Sequence, residues 1–234
     1  MSASANPDIV DDGLVLCLDA GDGKSYSGSG ETWTDRSGNG NNGTLTNGPT
    51  FSSDNNGLIQ LDGANDNIRT LWGANHNPYN NPITVSCWFK MDSLTENMLV
   101  LSTGQQTRGN GVFDQRFYFG INTTISEKFG WGIRSSLWGS SQITGITANT
   151  SDWFHVALVI NSSNAYCYIN NVLRDTKAVN STYVLNDELW VGSHDSNTEL
   201  PFHGKISNVM VYEKDLSEAE RTQNYNATKS RFGL

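Results

Sequence analysis

The sequence predicts an all-β fold, a two-sheet antiparallel sandwich with one short helix near its C-terminus. Composition is the first reason: charged residues are 17%, glycine numbers 23 and apolar residues are 36% of 234. That mixture suits many short strands joined by polar turns, not helices rich in Ala, Glu and Lys. The second reason is alternation. Apolar residues recur with a two-residue period at 58–61, 84–89, 97–101, 116–121, 129–134, 154–160, 166–169, 188–191 and 206–212, and 14–19 is a continuous apolar run, LVLCLD. The third is turn chemistry, dense in Gly, Asn, Ser and Asp between those runs.

Taken in order, residues 1–12 are polar, contain Pro7 and the pair Asp11-Asp12, and read as an arm leading into the first strand. The run 14–19 predicts a strand covered on both faces and central in its sheet. The stretch 31–51, ETWTDRSGNGNNGTLTNGPTF, is too rich in Gly, Asn, Thr and Ser for helix. It predicts ordered loop and turn anchored by Trp33, Leu45 and Phe51, a binding edge or a structural clasp. Turns follow at Asn161-Ser162-Ser163-Asn164 and at Asn170-Asn171. The segment 217–226 predicts the helix, with Ser217 as N-cap and Glu220 three residues on completing a capping box. Residues 228–234 form a tail, open to both a docked and a frayed reading. One domain, 13–227, accounts for the length.

The same residues resemble a family. W-x-D-x-S-G-N-G-N-x-G-T-L from Trp33 to Leu45, L-I-Q-L-D-G ending at Gly63, ITVSCWFK around Trp88, W-F-H-V-A from Trp153 to Ala157 and F-H-G-K-I-S-N-V-M-V-Y from Phe202 to Tyr212 stand in an order similar to that of laminin-G-like, concanavalin A-like jelly rolls. The resemblance implies a jelly-roll sandwich. It also implies a structural calcium held by Asp19, Gly63 and Asn208. Asn208 stands where the resembled proteins often carry Asp, and one charge fewer weakens the affinity for a hard cation.

Charge and motifs exclude several functions. A net charge of -9 and a pI near 4.8 argue against a phosphate-binding surface, so nucleic acid is not an expected partner. No apolar run is long enough to span a bilayer, and the N-terminus has neither the basic start nor the apolar core of a secretory signal. Cys17, Cys87 and Cys167 sit in apolar runs without metal-ligand spacing. They read as buried free thiols, and a disulfide between any two would leave one over.

Concanavalin A-like folds include glucanases, which need two carboxylates across a glycosidic bond. The E-x-D-x-x-E signature is absent, and the adjacent Asp187-Glu188 point to opposite faces of a strand. No enzyme activity is expected. A carbohydrate-binding set is drawn instead from loop residues Trp72, His76, Trp138 and His194, with a packed edge residue as the competing reading for each tryptophan. Trp88, Trp153 and Trp190 lie in strand patterns and read as core, and His155 and His203 as structural.

The opening D-G-L-V-L-x-L-D-A-G with K-S-Y-x-G-S-G-x-T-W-T-D, and the ending N-Y-N-A-T-K-S-R-F-G-L, resemble structural proteins of tailed phages, marine cyanophages especially. The resemblance implies a non-enzymatic virion surface protein, a capsid decoration or tail-fibre component exposed on the particle. Other virion proteins and a host-surface glycan are the implied partners, and homo-oligomerisation is left open. The alternative is a soluble calcium-dependent lectin, with a glucan hydrolase behind it.

Overall fold

The computed structural model describes residues 8–72, 81–103, 106–108, 112–114, 117–122, 128–133, 142–179, 188–194 and 200–234. In chain order the strands are β1 (Leu14–Asp19), β2 (Thr32–Trp33), β3 (Gly43–Thr46), β4 (Thr50–Ser52), β5 (Leu58–Asp62), β6 (Asn67–Leu71), β7 (Ile83–Met91), β8 (Met98–Ser102), β9 (Gln106–Arg108) and β10 (Val112–Asp114). They continue with β11 (Phe117–Asn122), β12 (Lys128–Ile133), β13 (Gln142–Thr147), β14 (Phe154–Ile160), β15 (Asn164–Ile169), β16 (Val172–Ala178), β17 (Glu188–Val191) and β18 (His203–Tyr212). One α-helix, α1 (Glu218–Thr228), runs into a 3-10 turn at Lys229–Phe232.

Two antiparallel eight-stranded sheets make the predicted sandwich. The first runs β16-β15-β14-β7-β18-β5-β4, with β1 attached to β18; the second runs β13-β12-β11-β8-β17-β6-β3-β2, and β9 and β10 form a separate pair. One apolar cluster fills the space between the sheets. A chain of rings crosses it: Phe89 and Phe154 from the first sheet meet Phe119 and Phe129 from the second, with Phe89–Phe119 centroids at 5.7 Å and Phe129–Phe154 at 5.0 Å. Fully buried aromatic side chains of this kind each contribute about 1.5–3 kcal/mol by leaving water.

The strand β1 differs from its prediction. Its faces are covered, since Leu16 and Leu18 enter the core while Cys17 packs with Val10, Met210, Tyr212 and Leu216. Yet it pairs with β18 alone and is not central. The 31–51 stretch closes its other side. Asn41 Nδ2 donates to the Val15 carbonyl at 2.8 Å, and the Arg36 N–H donates to the Cys17 carbonyl at 2.8 Å. The single Ser37 hydroxyl proton lies within reach of both the Val15 carbonyl at 2.9 Å and Asp35 Oδ2 at 2.7 Å, the carboxylate being the stronger acceptor. The buried Asp35 carboxylate gathers the clasp by accepting from the N–H groups of Cys17, Ser37 and Asn41 and from Ser37 Oγ. An unpaired strand edge invites foreign strands, and this clasp occupies it. The stretch is also less loop-like than expected, because β2, β3 and β4 lie within it and β3 pairs with β6.

The outer face of the first sheet is closed by the chain's own ends. Ser217 caps α1 with the predicted capping box. Tyr225 and Phe232 stack on Trp88 at 5.5 and 4.3 Å, and Trp88 Nε1 donates to Thr228 Oγ1 at 2.8 Å. Residues 8–12, expected as an arm, lie on the same helix: the Val10 N–H donates to Asn224 Oδ1 at 2.8 Å and Lys214 pairs with Asp12. The Asn170-Asn171 hairpin has both residues at positive φ, 50° and 61°, as the tight β15–β16 turn requires.

Beneath α1, His155 is buried against Trp88 at 5.0 Å, its Nδ1 has no partner, and burial pushes its pKa down to about 3. Unfolded, it would titrate near its ordinary value of 6.5. The folded chain therefore binds fewer protons than the unfolded one between those values, and stability falls as pH drops from about 6.5 towards 3, by at most about 1.4 kcal/mol per pH unit. Urea melts across that range are expected to show a shallower slope in His155→Gln, and an unchanged slope would remove His155 as its source. The three cysteines are buried and free. Burial, with Asp19 and Asp35 nearby, pushes the Cys17 thiol up to about 12, so it stays protonated.

Candidate functional site

α1 and the chain ends pack on the first sheet's outer face, and on the second sheet's outer face the described residues of β2, β3 and β6 carry side chains open to solvent. In-register pairing lines up Thr32, Thr44, Arg69, Trp190, Ser102, Tyr118 and Gly132 across seven strands, from β2 to β12. Alternation explains the row: Ile68, Leu189, Val191, Phe117 and Phe119 enter the core, so Arg69, Trp190 and Tyr118 between them point the other way. Tyr118 and Ser102 are fully buried and Trp190 is 6% exposed, whereas Thr32, Thr44 and Arg69 are open to solvent.

A small polar network organises the open half. Glu188 Oε1 accepts from Arg69 Nη2, and Glu188 Oε2 accepts from Trp190 Nε1 at 3.2 Å. The Arg69 guanidinium also lies over the Trp190 ring, 5.7 Å from its centroid. Beside them Leu71, opposite Glu188 in register, is 47% exposed. Planar charged groups next to an apolar side chain and threonine hydroxyls are the elements that take a sugar's hydroxyls on one side and its C–H face on another. Hydrolysis is a different demand. Glu188 is the single carboxylate among the described residues of this sheet's strands, where the reaction needs two.

The sequence-predicted residues fare differently. Trp72 is 1% exposed and belongs to the core, so its ring offers no platform; it follows β6 directly and turns inward with Ile68. His194 is 2% exposed, just after β17, and does not reach the surface. His76 and Trp138 lie outside the described residues. Trp190 read as core because Leu and Val flank it; it is buried, but on the outer face. Arg69 was missed because the five residues of β6 alternate too briefly to stand out. The usable signal was that in both N-I-R-T-L and E-L-W-V a large polar or aromatic residue interrupts aliphatic ones.

The residues assigned to calcium do not converge. Asp19 pairs with Asn208 on β18, but Gly63 approaches His203 at that strand's other end. Five residues of strand separate the two places, about 17 Å. The Asp19 carboxylate is moreover taken by Arg231, whose Nη1 donates to both oxygens at 2.8 and 2.9 Å. Arg231 Nη2 donates to Ser207 Oγ at 2.9 Å and to the Gly57 carbonyl at 3.3 Å, and Nε to the Asn55 carbonyl at 3.3 Å. The corner is tight because Gly57 has φ 123°, and a Cβ there would lie 2.2 Å from the Ala20 carbonyl oxygen. A guanidinium of the chain itself thus satisfies the oxygens a cation would take, and this donor set does not fit the implied metal. No group of three or more His, Cys, Asp or Glu side chains forms a metal cluster among the described residues.

Asp19 and Arg231 also line a cleft of about 640 Å³ beside β1. Its two arginines are paired within it, Arg36 with Asp22 at 2.9 Å and Arg231 with Asp19, and Asp8 and Asp11 make the rest of its charged lining acidic. No aromatic side chain lines it. No helix among the described residues is long and apolar enough to cross a membrane.

Solved structures share the fold. The chain is similar to the binding domain of botulinum neurotoxin DC in complex with SialylT, at 14% identity and TM-score 0.68, over 93% of this chain and 52% of that one. It is similar to the binding domain of Paraclostridial Mosquitocidal Protein 1, at 15% identity and TM-score 0.67, over 93% and 52%. It is also similar to a mutant of Trypanosoma rangeli sialidase displaying trans-sialidase activity, at 13% identity and TM-score 0.69, over 94% and 34%. The chain therefore spans about half the length of the toxin domains it matches. No curated protein matches it by sequence. The family model of the concanavalin A-like lectin/glucanases superfamily matches residues 62–220, more than half of the chain, and with the two-sheet sandwich it places this protein in that superfamily.

Proposed function

We propose that the chain is a non-enzymatic, lectin-like module that binds glycan on the outer face of its second sheet and serves as a virion surface protein of a tailed phage, a capsid decoration or a tail-fibre component. The observation that carries the binding reading is the Arg69–Glu188–Trp190 network beside the exposed Leu71, on the face the chain's own ends leave open. Neighbours of the same fold that are binding domains, one captured with SialylT, support a binding role. The non-enzymatic part rests on Glu188 being the single carboxylate among the described residues of that sheet's strands. The particle setting rests on the phage-like opening and closing sequences.

A glycan array probed with the purified chain tests the binding reading, and labelling of purified particles tests the setting. Binding is expected to be lost in Arg69→Ala with its melting temperature held to within about 2 °C, as for a surface substitution worth under about 0.5 kcal/mol. Binding that survives the substitution would move the site elsewhere.

A further inference from the structure

We infer that the ligand is a neutral, hydroxyl-rich saccharide, and that Glu188 sets this preference by neutralising Arg69. The inference rests on the outer face of the second sheet being the binding face.

Among the described residues of that sheet's strands, Arg69 is the cation of the open half of the face. Lys128, the other basic residue on the described strands of the sheet, begins β12, four strands from β6 or about 19 Å at normal strand spacing. Both oxygens of Glu188 are engaged, Oε1 by the guanidinium and Oε2 by the Trp190 indole N–H. Two bonds therefore hold the carboxylate beside Arg69. The Arg69 and Glu188 side chains are 44% and 26% exposed, so the pair meets solvent.

A carboxylate, sulfate or phosphate on a ligand approaching Arg69 would also meet Glu188. At similar separations attraction to one and repulsion from the other largely cancel. The chain's net charge of -9 adds long-range repulsion. A neutral sugar suffers neither. Its hydroxyls can accept from the guanidinium, which gives Glu188 one of its five N–H groups, and can donate to the carboxylate, while Leu71 meets a C–H face. An ion pair flanked by apolar surface offers donors and acceptors without net charge, which matches an uncharged polyol.

The test is an array carrying neutral glycans and their sialylated, sulfated and uronic counterparts, probed at physiological salt with the wild-type chain, Glu188→Gln, Arg69→Ala and Thr44→Trp. The wild type is expected to retain neutral glycans and to pass over their acidic counterparts. Glu188→Gln keeps the side chain's shape and removes its charge, so acidic glycans should gain at least about tenfold, with a gain that shrinks as salt rises. Thr44→Trp places bulk on an exposed strand position and should weaken all binding even if Arg69→Ala proves unstable. A wild type that prefers acidic glycans, or a Glu188→Gln variant without the gain, overturns the inference while leaving the face as the site. Glycan binding by the wild type that neither Arg69→Ala nor Thr44→Trp weakens overturns the choice of face and the inference with it, as does retention of no glycan at all.

Discussion

Asp35→Ala is expected to cost about 3–5 kcal/mol of folding free energy, because it strips one buried carboxylate of four hydrogen bonds. Three of the donors are backbone N–H groups, from Cys17, Ser37 and Asn41, and the fourth is the Ser37 hydroxyl. Water reaches them poorly, since Asp35 is 6% exposed and Cys17 is buried against Val10, Met210, Tyr212 and Leu216. Bonds to a charged acceptor are worth about 1.5–3 kcal/mol each, but they share one group and will not add in full. For a chain of this size the loss corresponds to a drop in melting temperature of roughly 6–20 °C. Loss of the clasp also bares the β1 edge, so the variant should aggregate at concentrations where the wild type stays dispersed. Denaturant melts and light scattering measure the two effects. A loss below about 1 kcal/mol would show that the clasp is held by Trp33 and Leu45 packing and not by Asp35.

Arg231→Met should be the second large effect. Methionine keeps much of the side chain's length while removing the guanidinium, which leaves Asp19 without its counter-charge and Ser207 Oγ, the Gly57 carbonyl and the Asn55 carbonyl without their shared donor. Removing one partner of a buried ion pair costs about 3–5 kcal/mol; with these side chains 12% and 24% exposed the figure is nearer about 2–4 kcal/mol. The Phe232 contacts with Trp88 and Trp153 sit one residue away, at 4.3 and 4.6 Å, and loosening the 3-10 turn weakens them as well. The loss is expected to be equal in calcium and in EDTA. Recovery of the variant's melting temperature by calcium would instead make this corner a cation site that Arg231 fills.

Local chemistry made much of the fold legible. Alternation identified the long strands β7, β14 and β18, and the capping box placed α1 to within two residues of its end. The paired asparagines marked a hairpin whose positive φ values only a few residue types accept. The glycine- and asparagine-rich stretch declared an ordered loop, and its Asp, Ser and Asn residues are the groups that close β1. Short or polar strands were not legible: β6 has five residues and the edge strand β16 reads V-L-R-D-T-K-A, with an exposed and charged pattern no period separates from loop.

The candidate site was the least legible part. Trp72 and His194 drew notice as residues at strand ends beside polar stretches, but both are buried. The network that replaces them joins Arg69 to Glu188, 119 positions apart, and neither residue is unusual in its own neighbourhood. The same holds for Arg231 and Asp19, 212 positions apart.

By itself, then, the sequence determined the long strands, the helix and their punctuation, because strand period, turn conformation and helix capping depend on residues a few positions apart. Only the tertiary structure decided which strand lies beside which, that Trp190 faces outward and Trp72 inward, and that Arg231 takes the Asp19 carboxylate assigned to a metal. A side chain's period along the strand states that it alternates; which of the two faces is core follows from partners folded in from the far end of the chain.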